Sequence, residues 1–96
     1  MLNYDYDLSK LSDREIELVQ ELERRHNSVL SSTTEKAVYF RAIRAIVEVC
    51  VDEWTLNFIW LILHYKDEPT NPKEDVQYTL ILGDVLKHEI ERKEVE

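Results

Sequence analysis

The chain has 96 residues, 44% of them hydrophobic and 33% charged, and a formal net charge of −8. This length predicts one domain, residues 1–96, that folds without disulfide or metal staples, and the composition excludes an intrinsically disordered chain. The negative charge repels nucleic acids and anionic membranes, so we expect neither as a partner. A protein with a basic surface is the partner that this charge favours.

The amino-acid content also favours helices and a cytoplasmic protein. One glycine and two prolines are typical of long helices and not of a turn-rich β-sandwich or barrel. The N-terminus lacks the basic and apolar regions of a signal peptide, and the apolar run that begins at Trp54 has about a dozen residues, where a membrane span needs about 20. The single cysteine, Cys50, excludes an internal disulfide. Its apolar neighbours predict a buried, unreactive thiol.

A capping box opens the first predicted helix. Ser12 and Glu15 have the spacing at which the serine hydroxyl accepts from the Glu15 amide and the Glu15 carboxylate accepts from the Ser12 amide. Apolar residues then recur on one face, and the helix is expected to fray at residues 26–28. Residues 1–10, before this helix, are interpreted as an N-terminal arm that lies on the bundle.

Helix 2 is predicted over residues 35–51, after a linker whose hydroxyl groups offer an N-cap. Arg41, Arg44 and Glu48 form a polar stripe at helical spacing, which is typical of an amphipathic helix. The segment 46–51 is β-branched and partly alternating, so a strand is the competing interpretation. The polar stripe continues through this segment, and we therefore prefer the helix.

The large apolar residues are densest between residues 54 and 65, where only Thr55, Asn57 and His64 are polar. A helix of this kind is apolar nearly all round and has to be covered on most sides. Asp52 marks a predicted bend that separates it from helix 2, since one uninterrupted helix would be unusually long for a small domain. We therefore predict an all-α fold, a small bundle of about four helices around a central apolar helix 3.

The Asn-Pro pair at residues 71–72 begins the fourth predicted helix, as its N-cap and first residue. Its expected core face consists of Val76, Leu80 or Leu82, Val85, Leu86 and Ile90. Gly83 inside the helix costs about 1 kcal/mol relative to alanine, and we expect close packing against Trp54 or Trp60 to offset this cost. The charged residues 91–96 form a tail that is expected to fray.

The sequence contains no recognisable pattern of metal ligands or catalytic groups. His26, His64 and His88 lie on three different predicted helices or their ends, and His88 lacks the second histidine of the zinc-protease motif H-E-x-x-H. Metal sites need ligands at a defined spacing, and a single glycine leaves no phosphate-binding loop. We therefore expect no metal, no cofactor and no catalytic residue.

Residues 82–86, Leu-Gly-Asp-Val-Leu, resemble the second metal-binding helix of MazG-type nucleotide pyrophosphohydrolases. That resemblance implies an all-α enzyme that holds magnesium with two acidic pairs. The glutamate that these enzymes carry three positions before the aspartate is Ile81 here, and no matching Glu-x-x-Glu pair precedes it. Since magnesium needs several carboxylate oxygens, we interpret Asp84 as a surface residue. A small oligomeric all-α enzyme or ligand-binding domain is the alternative interpretation.

Residues 11–18, Leu-Ser-Asp-Arg-Glu-Ile-Glu-Leu, are similar to the opening of LuxR-type helix-turn-helix domains. The resemblance implies DNA binding, but no short turn and basic recognition helix follow. The few clustered arginines of the chain are better interpreted as ion-pair partners of nearby glutamates. We therefore do not expect DNA binding.

The aromatic residues in and near helix 3 exceed what one face of a four-helix core needs. The candidate interface residues are Trp54, Phe58, Trp60, Tyr65 and Tyr39. A dense core explains any one of them alone, but an uncovered aromatic patch on a soluble protein usually marks an association surface. We therefore hypothesise a non-enzymatic regulator, adaptor or inhibitor that binds another protein, and we expect a homodimer at micromolar concentration.

Overall fold

A computed structural model describes residues 7–68 and 72–95 of the chain. The elements are α1 (Asp13–His26), α2 (Thr33–Arg44), a π-helical turn (Ala45–Val49), α3 (Glu53–Asp67) and α4 (Pro72–Glu94). No β-strand occurs in these two ranges. The predicted all-α fold, a small helical bundle, is confirmed.

Two capping boxes set the starts of α1 and α2. The Ser12 hydroxyl accepts from the Glu15 amide at 3.3 Å, and a Glu15 carboxylate oxygen accepts from the Ser12 amide at 3.1 Å, as the sequence predicts. Ser32 and Glu35 repeat the same pair of bonds at 3.1 and 3.0 Å. Each box satisfies amides that would otherwise have no partner at a helix N-terminus.

The predicted continuation of helix 2 is confirmed as far as Val49, two residues short of the predicted end, but the last part is not a regular α-helix. The α-helix ends at Arg44, the wider π-helical turn follows, and Cys50 adopts the left-handed conformation with φ 56° and ψ 53°. The turn contains Ile46, Val47 and Val49, whose β-branched side chains are restricted in an α-helix. The competing strand interpretation of this segment is wrong.

The prediction of a buried thiol at Cys50 is also wrong, because the side chain is exposed. The left-handed turn directs the chain so that the next residue, Val51, enters the core instead. Asp52 then caps α3 through an oxygen that accepts from the Thr55 amide at 3.1 Å, which agrees with the predicted bend. Residues 50–52 therefore form the junction between the first and second halves of the molecule.

The helices pack as two hairpins. α1 packs against α2, α3 packs against α4, and α2 also packs against α4 across the seam between the hairpins. The core consists of Leu18, Val19, Leu22, Val38, Tyr39, Ala42, Ile43, Ala45, Ile46, Val51, Ile59, Ile62, Leu63, Leu82, Leu86 and Ile90. α2 thus holds the most central position, and one side of α3 faces solvent.

Gly83 lies where α2 and α4 approach each other. A Cβ atom at Gly83 would lie 3.2 Å from Cγ2 of Val38, and an Arg41 guanidinium nitrogen donates to the Gly83 carbonyl at 3.3 Å. The expectation of close packing at this glycine is therefore correct. The neighbour, however, is Val38 on α2 and not Trp54 or Trp60 on α3.

α4 begins at Pro72, in agreement with the sequence, and continues to Glu94. Most of the segment 91–96, which was expected to fray, is therefore helical. The proposed N-cap Asn71 and most of the N-terminal arm lie outside the described residues. Among the helices that are described, none combines the length and the apolar character needed to cross a lipid bilayer.

Candidate functional site

The exposed large apolar side chains on the helices all belong to the second hairpin. They are Trp54, Leu61, Tyr65, Val76, Leu80 and Ile81. Within residues 13–44 the only comparable side chains are Val29 and Leu30, in the linker between α1 and α2. The first hairpin therefore buries its helical apolar side chains, and the second leaves a group of them in water.

The outer face of α3 is apolar along its length. Trp54, Phe58, Leu61 and Tyr65 recur every three or four residues, which places them on one side of the helix. Trp54 is 60% exposed and Leu61 is 46% exposed. No Asp, Glu, Lys or Arg occurs between Glu53 and the buried Lys66, so this face carries no fixed charge.

α4 extends this surface, because it runs antiparallel to α3. The rings of Tyr65 and Tyr78 stack at one end, with centroids 5.5 Å apart. At the other end Trp54 lines a cleft together with Val85 and His88. Helical spacing places Ile81 between these two ends. We define the apolar face as Trp54, Phe58, Leu61, Tyr65, Tyr78, Ile81 and Val85.

The structure separates the five candidate interface residues into three groups. Trp54 and Tyr65 are exposed, and Phe58 is half-buried with its ring stacked on Trp54 at a centroid distance of 5.4 Å. Trp60 is half-buried and packs against the core. Tyr39 is only 2% exposed and is a core residue of α2, so its inclusion among the surface aromatics is corrected.

The expected core face of α4 also needs correction. Leu82, Leu86 and Ile90 are buried as predicted, whereas Val76 and Leu80 are each 57% exposed. Apolar residues occupy more than one side of α4, and spacing alone does not show which side meets α2 and α3. For the same reason the sequence did not place Ile81 and Val85 on the apolar face.

The cleft at the Trp54 end has a volume of about 300 Å³ and is lined by Trp54, Asp84, Val85, His88 and Glu89. Phe58 covers one face of the indole through a nearly parallel stack with an interplanar angle of 11°. A carboxylate oxygen of Glu89 accepts from Arg92 at 2.6 Å. Asp84 is exposed, as the sequence suggested, and no hydrogen bond or ion pair joins it to any described residue.

A buried ion network surrounds Lys66, the residue that follows Tyr65 on α3. The Lys66 side chain is only 2% exposed, and its ammonium nitrogen lies 3.0 Å from a carboxylate oxygen of Glu35 and 2.9 Å from one of Asp75. It also donates to the Thr79 hydroxyl at 2.5 Å. These contacts join α3 to α2 and α4.

The network stabilises the charged forms of its members. Burial lowers the pKa of Lys66, but its bonds to Asp75 and Glu35 outweigh that effect and raise the pKa above its usual range. Burial raises the pKa of Glu35, but the Ser32 amide and the Lys66 ammonium outweigh it and lower the pKa. Tyr39, which donates to Glu35 from the edge of the network, is the exception, because burial raises its pKa and favours the neutral phenol. Lys66 is therefore a paired cation and not a free amine.

A polar cavity of about 310 Å³ borders this network. Arg25 crosses it, with guanidinium nitrogens 2.9 Å from Glu21 and 2.6 Å from Asp67. The cations that line the cavity are largely matched by carboxylates of the same cavity. We therefore assign this region to holding α1, α2 and α3 together.

The apolar face, in contrast, keeps large apolar side chains exposed that no other described residue covers. Contiguous exposed apolar surface with a polar rim is typical of a protein interface. Among the described residues, no group of three His, Cys, Asp or Glu side chains lies close enough to hold a metal ion. Comparison of the chain with models of protein families, with curated proteins and with solved structures finds no match.

Proposed function

We propose that this chain is a non-enzymatic cytoplasmic protein that binds another protein through the apolar face and acts as a regulator, adaptor or inhibitor. The observation that carries the proposal is the outer side of α3, which presents Trp54, Leu61 and Tyr65 to water without a fixed charge between Glu53 and Lys66. No described residue covers the exposed parts of these side chains.

The residue types of the face are those that contribute most to protein interfaces. Aromatic side chains are enriched at the centres of interfaces, and Trp and Tyr are among the residues whose removal weakens binding most. The face spans two antiparallel helices, α3 and α4, and a surface of this shape accommodates an amphipathic helix laid along it. The occupant that we propose is therefore a helix of the partner protein, with its apolar side on the face.

Charge favours a partner helix that is basic outside its apolar side. The chain has a net charge of −8, and such a charge speeds association with a basic surface and slows it with an acidic one. A second copy of the chain is the other possible occupant, and the homodimer expected from the sequence stays a prediction. Repulsion between two chains of charge −8 favours the basic partner over the second copy.

A selection of helical peptides from a display library tests the proposal. Peptides selected on the wild-type protein are then measured against Leu61→Glu, which places a charge in the middle of the face. The matched control is Leu30→Glu, the same substitution at a linker position that is 91% exposed. We expect Leu61→Glu to weaken binding about tenfold or more and Leu30→Glu to leave it unchanged. Equal binding to wild type and Leu61→Glu would contradict the proposal.

Sedimentation equilibrium of the protein alone and with a selected peptide identifies the occupant. If the 11.5 kDa chain forms a dimer that the peptide dissociates, that result supports the proposal, because the partner and a second copy then compete for the same face. A chain that stays monomeric and binds the peptide also supports the proposal. A dimer that is lost in Leu61→Glu, and that no basic peptide displaces, would assign the face to a second copy and overturn the proposed partner.

A further inference from the structure

We infer that the cleft at the Trp54 end of the apolar face binds a basic side chain of the partner, most favourably an arginine. The inference rests on the proposed function and deepens it, because it specifies the chemistry of one contact. The cleft combines an aromatic ring, Trp54, with a carboxylate, Asp84, that has no partner among the described residues. An aromatic ring beside a free carboxylate is a suitable environment for a cation.

Trp54 supplies the aromatic surface. Among the described residues its indole stacks on Phe58, and 60% of the residue remains exposed. A cation placed over the side away from Phe58 is attracted by the negative face of the ring, and tryptophan gives the strongest interaction of this kind. Because the stack with Phe58 holds the indole in place, little ordering of Trp54 is required when a ligand arrives.

Asp84 supplies the charge. The other carboxylate of the cleft, Glu89, is already bonded to Arg92 at 2.6 and 3.3 Å through one oxygen. Asp84 has no such contact in the described residues. It lies on α4 directly before Val85 and about one turn before His88, and all three residues line the cleft. The cationic neighbours Lys87 and Arg92 are on the same helix, and Arg92 is engaged by Glu89. The incoming basic group therefore has a carboxylate that no other described group uses.

The ring and the carboxylate of the cleft favour arginine over lysine. A guanidinium group is planar, stacks on an aromatic ring and donates two parallel hydrogen bonds to one carboxylate. The half-buried side chain of Val85 offers apolar contact for the methylene groups of the same side chain. A volume of about 300 Å³ accommodates such a side chain without rearrangement of the helices.

The position of the cleft predicts a spacing in the partner helix. Leu61 follows Trp54 by seven residues, which corresponds to two helical turns or about 10 Å along α3. A partner helix that runs along the face therefore carries its basic residue about two turns from the apolar residue that contacts Leu61. Selected peptides should share this spacing.

Substitution on both sides of the contact tests the inference. In a selected peptide, the arginine is replaced by citrulline, which keeps the shape and removes the charge. In the protein, Asp84→Asn removes the carboxylate, and Glu17→Gln removes one negative charge from the exposed side of α1 as a control. We expect citrulline and Asp84→Asn each to weaken binding about five- to twentyfold. We expect the double change to cost little more than either alone, and Glu17→Gln to have little effect.

A small probe separates this inference from the proposed function. N-acetylarginine methylamide is titrated into ¹⁵N-labelled protein, and the indole cross-peak of Trp54 is followed by NMR. A saturable shift that citrulline does not produce, and that Asp84→Asn removes, supports the inference even if no peptide selection succeeds. Peptides that bind the face, lose binding to Leu61→Glu and tolerate citrulline would overturn the inference while the proposed function stands. The absence of a shift at Trp54 would likewise count against it.

Discussion

The two hairpins of this molecule use apolar residues in opposite ways. In the α1–α2 hairpin, Leu18, Val19 and Leu22 are fully buried, and the outer side is polar. In the α3–α4 hairpin a second set of large side chains, including Leu61 and Ile81, remains exposed beyond those that fill the core. The exposed part of this apolar surplus is not covered by any described residue, and this is why we propose that it binds a partner.

The largest expected effect comes from matched leucines in the two hairpins. Leu22→Ala removes a fully buried side chain of α1 and is expected to cost about 2–5 kcal/mol of unfolding free energy. Leu61→Ala, at a position 46% exposed, should cost less than about 1 kcal/mol. Urea unfolding followed by circular dichroism measures both. Similar losses for the two variants would mean that Leu61 supports the fold and would remove the contrast between the hairpins.

The next effect concerns the ion network that joins the hairpins. Glu35→Gln retains a side-chain oxygen for the Ser32 amide but removes the charge opposite Lys66. We expect a loss of about 1–3 kcal/mol at pH 7. The pKa of Glu35 is lowered in the folded protein, so its contribution is present above about pH 4.3 and is lost as the pH falls through the lowered value.

Urea unfolding of the wild type and Glu35→Gln between pH 7 and pH 3 follows this contribution. The stability difference between the two proteins should shrink toward pH 3. The pKa of Lys66 is raised in the folded protein, so the contribution of Lys66 to stability is lost only as the pH rises beyond about 10.4. Glu17→Gln, an exposed carboxamide variant on α1, is the control. A difference that is constant down to pH 3 would show that Glu35 does not act through its charge.

A smaller effect is expected at the capping box of α1. Ser12→Ala removes the hydroxyl that accepts from the Glu15 amide and should cost about 1 kcal/mol of stability. Arg14 in the same turn is paired with Glu53 of α3 at 3.0 Å, but the bond removed here joins only Ser12 and Glu15. Peptide binding at the apolar face should therefore not change once the protein is folded. Denaturation and peptide titration of the same variant check both statements. A loss of binding without a loss of stability would show that the start of α1 positions the face through the Arg14–Glu53 ion pair.

The smallest effect is predicted at the seam between the hairpins. Gly83→Ala gains about 1 kcal/mol of helix propensity, but the new methyl group meets Val38 at 3.2 Å, and we expect the two effects nearly to cancel. In a Val38→Ala background, where the contact is relieved, the same change should stabilise by about 1 kcal/mol. Thermal or urea unfolding of the four proteins of this cycle provides the test. Destabilisation in both backgrounds would mean that the backbones of α2 and α4, and not the Val38 side chain, leave too little room for a methyl group at position 83.

Local sequence signals predicted the starts of the helices but not all of their ends. Ser12 with Glu15, and Asp52 at the bend, bond to amides a few residues away, so short motifs are sufficient to recognise them. The end of α2 has no comparable motif. Cys50 takes a left-handed conformation that glycine adopts most readily, and packing of the π-helical turn against α4 determines the path there.

The candidate site was predicted in part. The unusual apolar content of α3 identified Trp54, Phe58 and Tyr65, because a helix without an outward polar stripe stands out in a sequence. Tyr39 was placed wrongly, since its neighbours along the chain do not reveal that the inner side of α2 points at the core. The role of Asp84, whose carboxylate has no partner among the described residues, could not be recognised either, because its relation to Trp54 depends on the alignment of two helices.

The position of Lys66 has a consequence for the thermodynamics of binding. Lys66 directly follows Tyr65, and its bonds to Glu35 and Asp75 anchor this end of α3 from within the protein. A surface that is already fixed loses little conformational entropy when a complex forms. The ordering cost therefore falls mainly on the partner segment, and if that segment folds on docking, calorimetry should show a large favourable enthalpy, an opposing entropy and a negative heat-capacity change.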